Sequence, residues 1–518
     1  MKKWAALILV LGLAGWNIWP IIKNPATAFA WGGDDGLITW YLNDTIQKIP
    51  GDLKNLWQGN IFYPYKYTRA FGVMLIPSAL LVALPTKIIG THVAAYNLTI
   101  ILAQFLTAIF LWKWFCELSD DPLAAAVGTV VFLFSQIKMS FVVHIHFWVM
   151  QWLVLGAWMV WKYAKDGRVW QLYVAGAALA IQFWESIYQA YWIALWIGIW
   201  LWVKRKKLIG DWKHWLVILV GVGVLVSPVV YVYAQVYREW GYAGSIREAA
   251  HFSASLNDLW GMNAKPGMYV LLAALVLSTK GEVLRVRGTR WLVALLIFGV
   301  VMALGPVLKW QGETVKIWDR FFVPLPYGLF HYLIPGFSSL RSVHRWLWVA
   351  GLAASGLVAV GLSWRRGVYW LGLLGVLIVG IVGGDRVRAR GNFPRPEDYP
   401  TVYTWLRDAP GKVILEYPVY NWADKHFDQE MFRMTYSLKH RKKLVGGAFG
   451  FLPKERGELL GKIQVEYPSV ELNRILKDMG VNYVVVHKSE CLMINVQCSM
   501  GGKILWEDEN DVVYELVL

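Results

Sequence analysis

The sequence predicts an α-helical polytopic membrane protein with about 11 transmembrane helices, followed by a small C-terminal extracytoplasmic α/β domain. The first observation is composition: 57% of the 518 residues are hydrophobic, 32 are Trp and only 17% are charged. Soluble globular chains carry about a quarter charged residues. Secondly, apolar stretches near the roughly 20 residues that cross a bilayer recur up to about residue 384. Thirdly, the pattern after that point alternates between helix-like and strand-like segments.

Eleven apolar stretches are the predicted spans. They are Trp4–Ile22, His92–Phe115, Pro122–Gln136, Phe147–Tyr163, Val169–Trp184, Tyr188–Val203, Trp215–Tyr233, Gly267–Leu277, Trp291–Leu308, Arg345–Leu362 and Gly367–Val382. The first has a basic start, MKK, and is followed by the small residues ATAFA, so a cleaved signal peptide is an alternative to an uncleaved helix. We favour the uncleaved helix in a multispanning protein. Both interpretations place the next segment on the outer face.

The distribution of Lys and Arg predicts the orientation in the membrane. Basic residues cluster at Lys2/Lys3, Lys162/Lys165/Arg168, Lys204–Lys207, Lys280/Arg285/Arg287/Arg290 and Arg365/Arg366. If Gly72–Gly90 does not cross the membrane, all five clusters and the N-terminus are cytoplasmic; if it crosses, every later cluster is outside. We interpret Gly72–Gly90 as a re-entrant or interfacial helix pair, broken by Pro77 and Pro85, within a first outer loop at residues 23–91.

Residues 385–518 are predicted to form a separate domain after a transmembrane domain at residues 1–384. The boundary is a charged, proline-bearing linker, RVRARGNFPRPEDYP. Helices are predicted at TVYTWLRDA, DQEMFRMTYSL and SVELNRILKDMG. Strands are predicted at KVILEYP and VNYVVVH, and a hairpin at KILWEDE and DVVYELVL.

Several classes of function are disfavoured by the sequence. The net charge of +16 arises from Lys and Arg between hydrophobic segments, which indicates topology and contact with anionic lipid rather than nucleic-acid binding. Three Cys are too few for a disulfide scaffold: Cys116 is predicted to be inert, and Cys491 and Cys498 would pair only on an oxidising side. No P-loop, GxSxG, HExxH or CxxC motif occurs, which argues against an ATP-driven transporter.

Two adjacent acids, Asp34 and Asp35, follow the first span in WGGDDGLITWYL. One interpretation is that they cap an interfacial helix at Gly36–Ile46, because Asp favours helix N-termini. The other is that one of them is a general base, since neighbouring carboxylates can separate their pKa values and leave one ionised to take a proton. The residues alone leave both interpretations open.

Other polar residues are predicted at the same outer face. Each has a structural alternative: His144 and His146 as ordinary loop residues, Glu185 as a helix cap, and arginines as lipid anchors. The functional interpretation is that an arginine cluster binds the phosphate of a lipid substrate through forked hydrogen bonds. The candidates for substrate binding are His144, His146, Glu185, Arg341, His344, Arg345 and Lys66, with Arg69, Arg247 and Lys265 as further sources of positive charge.

Several longer segments resemble polytopic GT-C-type glycosyltransferases. They are GDDGLITWYLN, NIFYPYKY, AAYNLTIILAQFLTAIFLW, FSQIKMSFVVHIHFWVMQW, LPYGLFHYLIPGFSSLRSVHRW and YTWLRDAPGKVILEYP with LKDMGVNYVVVHKSE. The resemblance is to a bacterial and archaeal branch related to the protein O-mannosyltransferase and lipid A aminoarabinose transferase families. It spans nearly the whole chain, and its most specific motifs are the acidic pair and PGFSSLR.

The resemblance implies a membrane enzyme that takes a sugar from a polyprenyl-phosphate donor and passes it to a glycan, lipid or protein acceptor outside the cytoplasm. Asp34 matches the family's catalytic base toward the acceptor hydroxyl, and Asp35 matches the following acid. His144 and His146 stand where better-known members have another carboxylate, a departure that weakens the transfer of roles. The need for a divalent metal is left open.

The expected mechanism is direct displacement with inversion, in which one base suffices because phosphate is a good leaving group. It requires the aspartates and the arginines to face one shared outer pocket. The alternatives are a lipid-linked glycan flippase or other transporter, and a non-catalytic member of a glycan-assembly system. Ionisable residues gather at the predicted outer interface rather than at mid-membrane, which favours the enzyme over the transporter.

Overall fold

A computed structural model describes residues 2–30, 34–49, 51–139, 142–203, 210–241, 244–259, 289–364, 387–389, 391–494 and 502–516. The predicted spans Gly267–Leu277 and Gly367–Val382 lie outside these residues, as do Lys265 and Cys498. The chain divides into two compact units: a first unit of residues 1–23, 100–229 and 241–388, and a second of residues 24–99, 230–240 and 389–518. The predicted boundary between residues 384 and 385 stays a prediction.

The first unit is mainly helical, and its sequence runs from one apolar helix to the next. Its helices are α1 (Lys2–Asn17), α2 (Trp19–Lys23), α6 (Pro122–Leu133), α7 (Gln136–Met139), α8 (Ile145–Trp148), α9 (Gln151–Asp166), α10 (Trp170–Glu185), α11 (Ile187–Val203), α13 (Ile246–His251), α14 (Thr289–Ala303), α15 (Tyr327–Leu333) and α16 (Leu347–Trp364). Two long helices contribute residues to both units: α5 (His92–Ser119) and α12 (Trp212–Trp240).

Three described helical segments are long and apolar enough to cross a membrane: His92–Ser119, Trp212–Trp240 and Val343–Ser363. Only 11% of the apolar window of Trp212–Trp240 is buried within the protein, and Leu219 is 72% exposed. Such an apolar surface on a 29-residue helix is what contact with lipid requires. These segments confirm the helical membrane class, while the number of eleven spans stays a prediction.

For two of the predicted spans, the ends of the helices in the structure differ from the predicted ends. The stretch predicted as Phe147–Tyr163 is a short helix, Ile145–Trp148, followed by a separate helix from Gln151. The stretch predicted to reach Leu308 ends at Ala303, because Gly305 adopts a left-handed φ of 78° and Pro306 follows it.

The prediction that prolines break Gly72–Gly90 into a helix pair is wrong. A single helix, α4, runs from Ile76 to Ile89. Pro77 lies in its first turn, where the missing N–H would have no helical partner, and Pro85 is accommodated within the last turns. Fourteen residues rise about 21 Å, which is shorter than the ~30 Å hydrocarbon core. This length favours an interfacial or re-entrant helix.

The second unit contains a five-stranded mixed sheet. In sheet order the strands are β10 (Ile504–Glu507), β11 (Asp511–Glu515), β9 (Tyr483–His487), β7 (Val413–Tyr417) and β8 (Lys443–Leu444). β7 is parallel to β8 and β9, whereas β11 is antiparallel to β9 and β10. Every residue of β7 and β9 is buried, as their apolar sequences predict. The predicted strands and the hairpin are therefore confirmed.

The sheet is accompanied by the three helices predicted from the C-terminal sequence and by two further helices. They are α17 (Thr401–Asp408), α18 (Asp428–Tyr436), α19 (Lys454–Glu466), α20 (Val470–Asp478) and α21 (Lys488–Ile494). A two-residue pairing of β1 (Ala28–Phe29) with β6 (Gly391–Asn392) joins this part to the first loop. Cys116 is a free cysteine; Cys491 is buried, and its pairing with Cys498, which lies outside the described residues, stays a prediction.

Helix α3 (Asp34–Lys48) is the element of the second unit that carries the acidic pair. It packs on α18 through Gly36, at which an added Cβ would lie only 3.1 Å from the Met431 carbonyl oxygen. The Thr435 hydroxyl donates a hydrogen bond to the Gly36 carbonyl at 2.8 Å. The missing side chain of Gly36 thus allows the close approach that fixes the first turn of α3.

Candidate functional site

Asp34 and Asp35 lie in the first turn of α3, the position predicted by the capping interpretation. Asp35 is fully buried, and the hydroxyl of Tyr96, also buried, donates a hydrogen bond to its Oδ1 at 3.3 Å. Asp34 is half-buried. The unpaired amides and the dipole of the helix N-terminus favour the ionised form of carboxylates placed there. One acid is therefore held in place while its neighbour retains access to solvent.

The other end of α3 holds a third acid in a buried charged cluster. Asp44 Oδ2 lies 2.7 Å from Lys48 Nζ and 2.9 Å from a terminal nitrogen of Arg69, and its Oδ1 lies 3.1 Å from Arg441. Burial raises the pKa of Asp44, but these three cations outweigh it and lower the pKa overall. Burial is also the main reason that the pKa of Lys48 falls to about 8.

This cluster changes the interpretation of Arg69, which the sequence grouped with charges around a substrate cavity. Arg69 is 0% exposed, and its guanidinium also donates to the carbonyl oxygens of Tyr41 and Met74 at 2.9 and 3.0 Å. Its side chain is therefore committed to the interior of the second unit. Lys66 and Arg247 are exposed.

In the first unit, Arg345 is sandwiched against aromatic rings. Its guanidinium carbon lies 4.3 Å from the ring centroid of Phe147 and 5.2 Å from that of Tyr188. Arg345 is half-buried, and the flat faces of its guanidinium contact the rings, an arrangement typical of arginine beside aromatic side chains.

His146 packs on the same Phe147 ring as Arg345, and His144 adjoins His146. The ring centroids of the two histidines are 5.8 Å apart, and the His146 ring packs on Phe147 at 4.3 Å. Burial, with the charge of Arg345 and the nearness of His144, holds the pKa of His146 well below its usual value. Its buried Nδ1 has no hydrogen-bond partner within the part of the chain that the structure describes. His146 is therefore a neutral imidazole with an unused polar atom.

Glu185 is fully buried at the end of α10. The indole N–H of Trp152 donates to its Oε1 at 3.4 Å. A buried carboxylate needs such partners because desolvation of its charge is costly. This geometry fits a positioned acid at the helix end, and a role in substrate binding stays a prediction.

Arg341 and His344 are tied to neighbouring loops. A terminal nitrogen of Arg341 lies 3.6 Å from Glu248 Oε1, and its guanidinium carbon lies 5.5 Å from the Phe252 ring centroid. The carbonyl oxygen of Phe252 lies 3.0 Å from the backbone nitrogen of His344 and 2.9 Å from its Nδ1. Of the three basic residues in LRSVHRW, Arg345 stacks on the rings of Phe147 and Tyr188, and its role in phosphate binding stays a prediction.

Two residues of these surroundings were missed from the sequence. Tyr96 was hidden in the apolar run AAYNLTI, and its contact with Asp35 depends on long-range packing. Lys138 is 0% exposed; its Nζ donates to Gln104 Oε1 at 2.5 Å and lies 4.4 Å from the Trp148 ring centroid. Burial lowers the pKa of Lys138 to about 7. The sequence feature that would have identified Lys138 is a lone lysine between apolar segments.

No group of three or more His, Cys, Asp or Glu side chains that could hold a metal ion occurs among the described residues. Asp34 and Asp35 supply two neighbouring carboxylates, of which Asp35 is turned toward Tyr96. Mg²⁺ is commonly bound through one or two carboxylates together with waters and substrate phosphates, so a divalent metal at the acidic pair stays a prediction. The expectation that the aspartates and the arginines share one pocket stays a prediction.

No protein-family model matches the chain, and no curated protein sequence matches it. Among solved structures, the chain is similar to the archaeal oligosaccharyltransferase AglB from Archaeoglobus fulgidus in complex with an inhibitory peptide and a dolichol-phosphate. That match has 13% identity and a TM-score of 0.49, and covers 94% of this chain and 69% of the other. ArnT from Cupriavidus metallidurans in the apo state is similar at 14% identity and a TM-score of 0.43, with 99% and 98% covered.

Proposed function

We propose that the protein is an integral membrane glycosyltransferase that moves a sugar from a polyprenyl-phosphate donor to an acceptor hydroxyl outside the cytoplasm. The observation that carries the proposal is the arrangement of the acidic pair. Asp35 is buried against Tyr96 at the start of α3, and Asp34 beside it is half-buried. An oriented, accessible carboxylate is what a general base requires. The sequence motifs around this pair resemble those of GT-C enzymes.

The reaction is a single displacement at the anomeric carbon. Asp34 takes the proton of the acceptor hydroxyl. At the same time the hydroxyl oxygen of the acceptor forms a bond to the anomeric carbon, and the bond from that carbon to the phosphate oxygen breaks. The polyprenyl phosphate leaves with the bonding electron pair. Attack opposite the leaving group inverts the anomeric configuration. No acid is needed, because a phosphate leaves as an anion, unlike the alcohol released in glycoside hydrolysis.

The first unit supplies the groups for the donor in this proposal. Arg345 faces the phosphate and stabilises the negative charge that grows on it as the sugar leaves. The neutral His146, with its unpartnered Nδ1, hydrogen-bonds the donor, since a buried polar atom without a partner is costly until a ligand satisfies it. The apolar, Trp-rich helices hold the polyprenyl tail. Supporting contacts to the substrate are assigned to Arg341, His344, His144, Glu185 and, from the second unit, Lys66.

The topology belongs to the same proposal. About eleven helices cross the bilayer, the N-terminus is cytoplasmic, and the five-stranded sheet lies outside. The catalytic acids then lie on the side where lipid-linked sugars become available after their carrier has crossed the membrane. The acceptor is a glycan, lipid or protein, and no step of the reaction is assigned to a metal.

The test is replacement of Asp34 by Asn in cells that carry no other copy of the protein, with mass spectrometry of lipid carriers and surface glycans. We expect a lipid-linked monosaccharide to accumulate and one sugar to disappear from a surface glycan, with the protein level in the membrane unchanged. Asp52→Asn is the matched control, because Asp52 belongs to the same loop and its Oδ1 accepts a hydrogen bond from Asn55. This control is expected to keep normal transfer.

The same experiment separates transfer from transport. A flippase variant would leave the intermediate on the inner leaflet, where added glycosidases cannot reach it in intact cells, whereas a failed transferase leaves it on the outer leaflet. Normal glycans with Asp34→Asn would move the base role to Asp35 or Glu185. Normal glycans when all three acids are replaced would rule out the catalytic proposal.

A further inference from the structure

A β-ribbon at residues 306–325 connects two apolar helical segments of the first unit. It follows α14, which ends at Ala303, and leads through α15 to the candidate span Val343–Ser363. β2 (Lys309–Trp310) pairs with β3 (Glu313–Thr314), and β4 (Lys316–Ile317) pairs with β5 (Phe321–Phe322). Because helices that cross a membrane end at its surface, a ribbon between two of them begins and ends near the interface.

The base of the ribbon is fixed to the neighbouring loop. Lys309 Nζ donates to three backbone carbonyl oxygens, those of Ala250, His251 and Ser253, at 3.1 to 3.2 Å. The backbone N–H of Gln311 donates to Asn257 Oδ1 at 2.7 Å. This end therefore has a defined position in the first unit.

The tip of the ribbon, Lys316 to Phe322, exposes at least one large apolar side chain on each face. Ile317 is opposite Phe321 on one face, and Lys316 is opposite Phe322 on the other, because opposed residues of an antiparallel pair point the same way. Ile317, Phe321 and Phe322 are 48%, 61% and 56% exposed. A protein partner that packs on one face of a two-stranded ribbon covers only half of this surface.

The turn at the tip holds a large aromatic residue in a costly conformation. Trp318 and Asp319 have φ angles of 52° and 55°, and the Arg320 N–H donates to the Ile317 carbonyl at 3.2 Å. Positive φ at both central residues is the sign of a type I′ turn, which favours Asn and Gly rather than Trp. The Trp318 side chain is nevertheless 84% exposed. Neither turn geometry nor packing inside the protein accounts for a Trp at this position.

The helix that follows the ribbon continues the apolar surface. On α15, Phe330 packs against Phe298 of α14 with ring centroids 6.1 Å apart. Leu329, Tyr332 and Leu333 point away from this contact and are 64%, 72% and 75% exposed. These three side chains continue the exposed apolar surface of the ribbon tip onto α15.

We propose that the ribbon tip and the outer face of α15 form a membrane anchor that dips into the headgroup region of the bilayer. Trp and Tyr are enriched there because their rings are apolar and their polar atoms reach water. Lipid surrounds an inserted ribbon and covers both faces of the tip together. Lys316 and Arg320 bind lipid phosphates, and the charges of these residues and Asp319 keep the tip out of the hydrocarbon centre. This inference does not depend on the proposed glycosyl transfer.

The test uses the full-length protein in lipid nanodiscs, with Cys116, Cys491 and Cys498 replaced by Ala. A nitroxide spin label is attached to one of four introduced cysteines: Trp318→Cys, Phe321→Cys, Phe322→Cys or, as the control, Gln311→Cys. Gln311 is the matched control because it lies in the other turn of the ribbon, is also exposed and has a similar φ of 50°. Collisions of the label with O₂, which dissolves in lipid, and with a water-soluble nickel chelate are measured by electron paramagnetic resonance.

We expect the labels at 318, 321 and 322 to collide more often with O₂ than with nickel, at a depth near the lipid phosphates. The label at 311 is expected to show the reverse. Nickel-dominated collisions at all four positions would place the tip in water and overturn the proposal. Low collision rates with both reagents at 321 or 322 would show a protein surface over the tip and would also overturn it.

Discussion

Arg69 and Arg345 both stack on two aromatic rings, in two different regions of the molecule, but they differ in burial. Arg69, in the second unit, lies 5.9 Å from the Trp40 ring centroid and 5.1 Å from that of Tyr41. Arg345, in the first unit, lies 4.3 and 5.2 Å from two rings. Arg69 is fully buried and its two terminal nitrogens donate to Asp44 and to backbone carbonyls, whereas Arg345 is half-buried. The difference teaches that aromatic stacking alone does not identify a candidate anion site, because a fully buried, ion-paired arginine and a half-buried one share it.

The largest expected effect is that of Arg69→Met, which tests whether Arg69 stabilises the buried cluster around Asp44. This change leaves Asp44 buried with Lys48 and Arg441 only, and breaking a buried ion pair costs about 3 kcal/mol or more. We expect local opening of α3 to become about 100-fold more frequent, because every 1.4 kcal/mol is a factor of ten. The measurement is hydrogen exchange of the α3 amides by mass spectrometry in nanodiscs.

Arg441→Met is the matched control for Arg69→Met, since Arg441 binds the same carboxylate from a side chain that is 37% exposed. A partly exposed ion pair is worth less than about 1 kcal/mol, so exchange in α3 is expected to change less than about fivefold. Equal effects of the two substitutions would show that burial of Arg69 does not decide its role.

Arg433 is a second buried arginine with acidic partners, and its surroundings predict a dependence of stability on pH. It lies 3.0 Å from Glu430 and 2.7 Å from Glu490, near the buried His487, whose ring nitrogens lie 2.7 Å from Asp511 and 3.1 Å from Glu416. Burial and the charge of Arg433 lower the pKa of His487, but the hydrogen bonds to Asp511 and Glu416 outweigh them and raise it to about 9. This cluster is therefore stabilised by a protonated imidazole.

The sign of the pH dependence follows from that raised pKa. Stabilisation by His487 is complete below its unfolded pKa of 6.5 and is lost as the pH rises through about 9. We expect the free energy of local opening of β9 to fall by about 3 kcal/mol between pH 7 and 10, and His487→Gln to remove most of this slope. Hydrogen exchange, corrected for its intrinsic pH dependence, measures it. A slope unchanged in His487→Gln would assign the effect to other groups.

The helices and strands could be predicted well from the sequence, whereas the contacts between side chains distant in sequence could not. The apolar helices, the buried strands VILEY and YVVVH, and the helix beginning at the acidic pair all follow from local periodicity and capping preferences. The ribbon at residues 306–325 was not predicted, because its two-residue strands are too short to show an alternating pattern. Arg69 and Arg345 were grouped together because the sequence shows that both are charged but does not show that Asp44, 25 residues away, neutralises only the first. Such pairing is a property of the folded chain.

The smallest expected effect concerns Arg345, the half-buried arginine of the first unit. Arg345→Gln keeps a planar group over Phe147 and Tyr188 but removes the charge. Hydrogen bonds to a charged group contribute about 1.5–3 kcal/mol, so binding of a polyprenyl phosphate should weaken roughly 10- to 100-fold. Native mass spectrometry titrations with undecaprenyl phosphate measure this change.

Arg341→Gln is the control for Arg345→Gln, because the charge of Arg341 is already shared with Glu248 and its side chain is 41% exposed. Its effect on binding is expected to stay below about threefold, as for other exposed ion pairs. A larger loss for Arg341 than for Arg345 would reverse the assignment, because a solvated, paired guanidinium would then bind the phosphate better than a half-buried one. Loss of binding confined to Arg345 would assign anion recognition to the half-buried arginine that stacks on Phe147 and Tyr188.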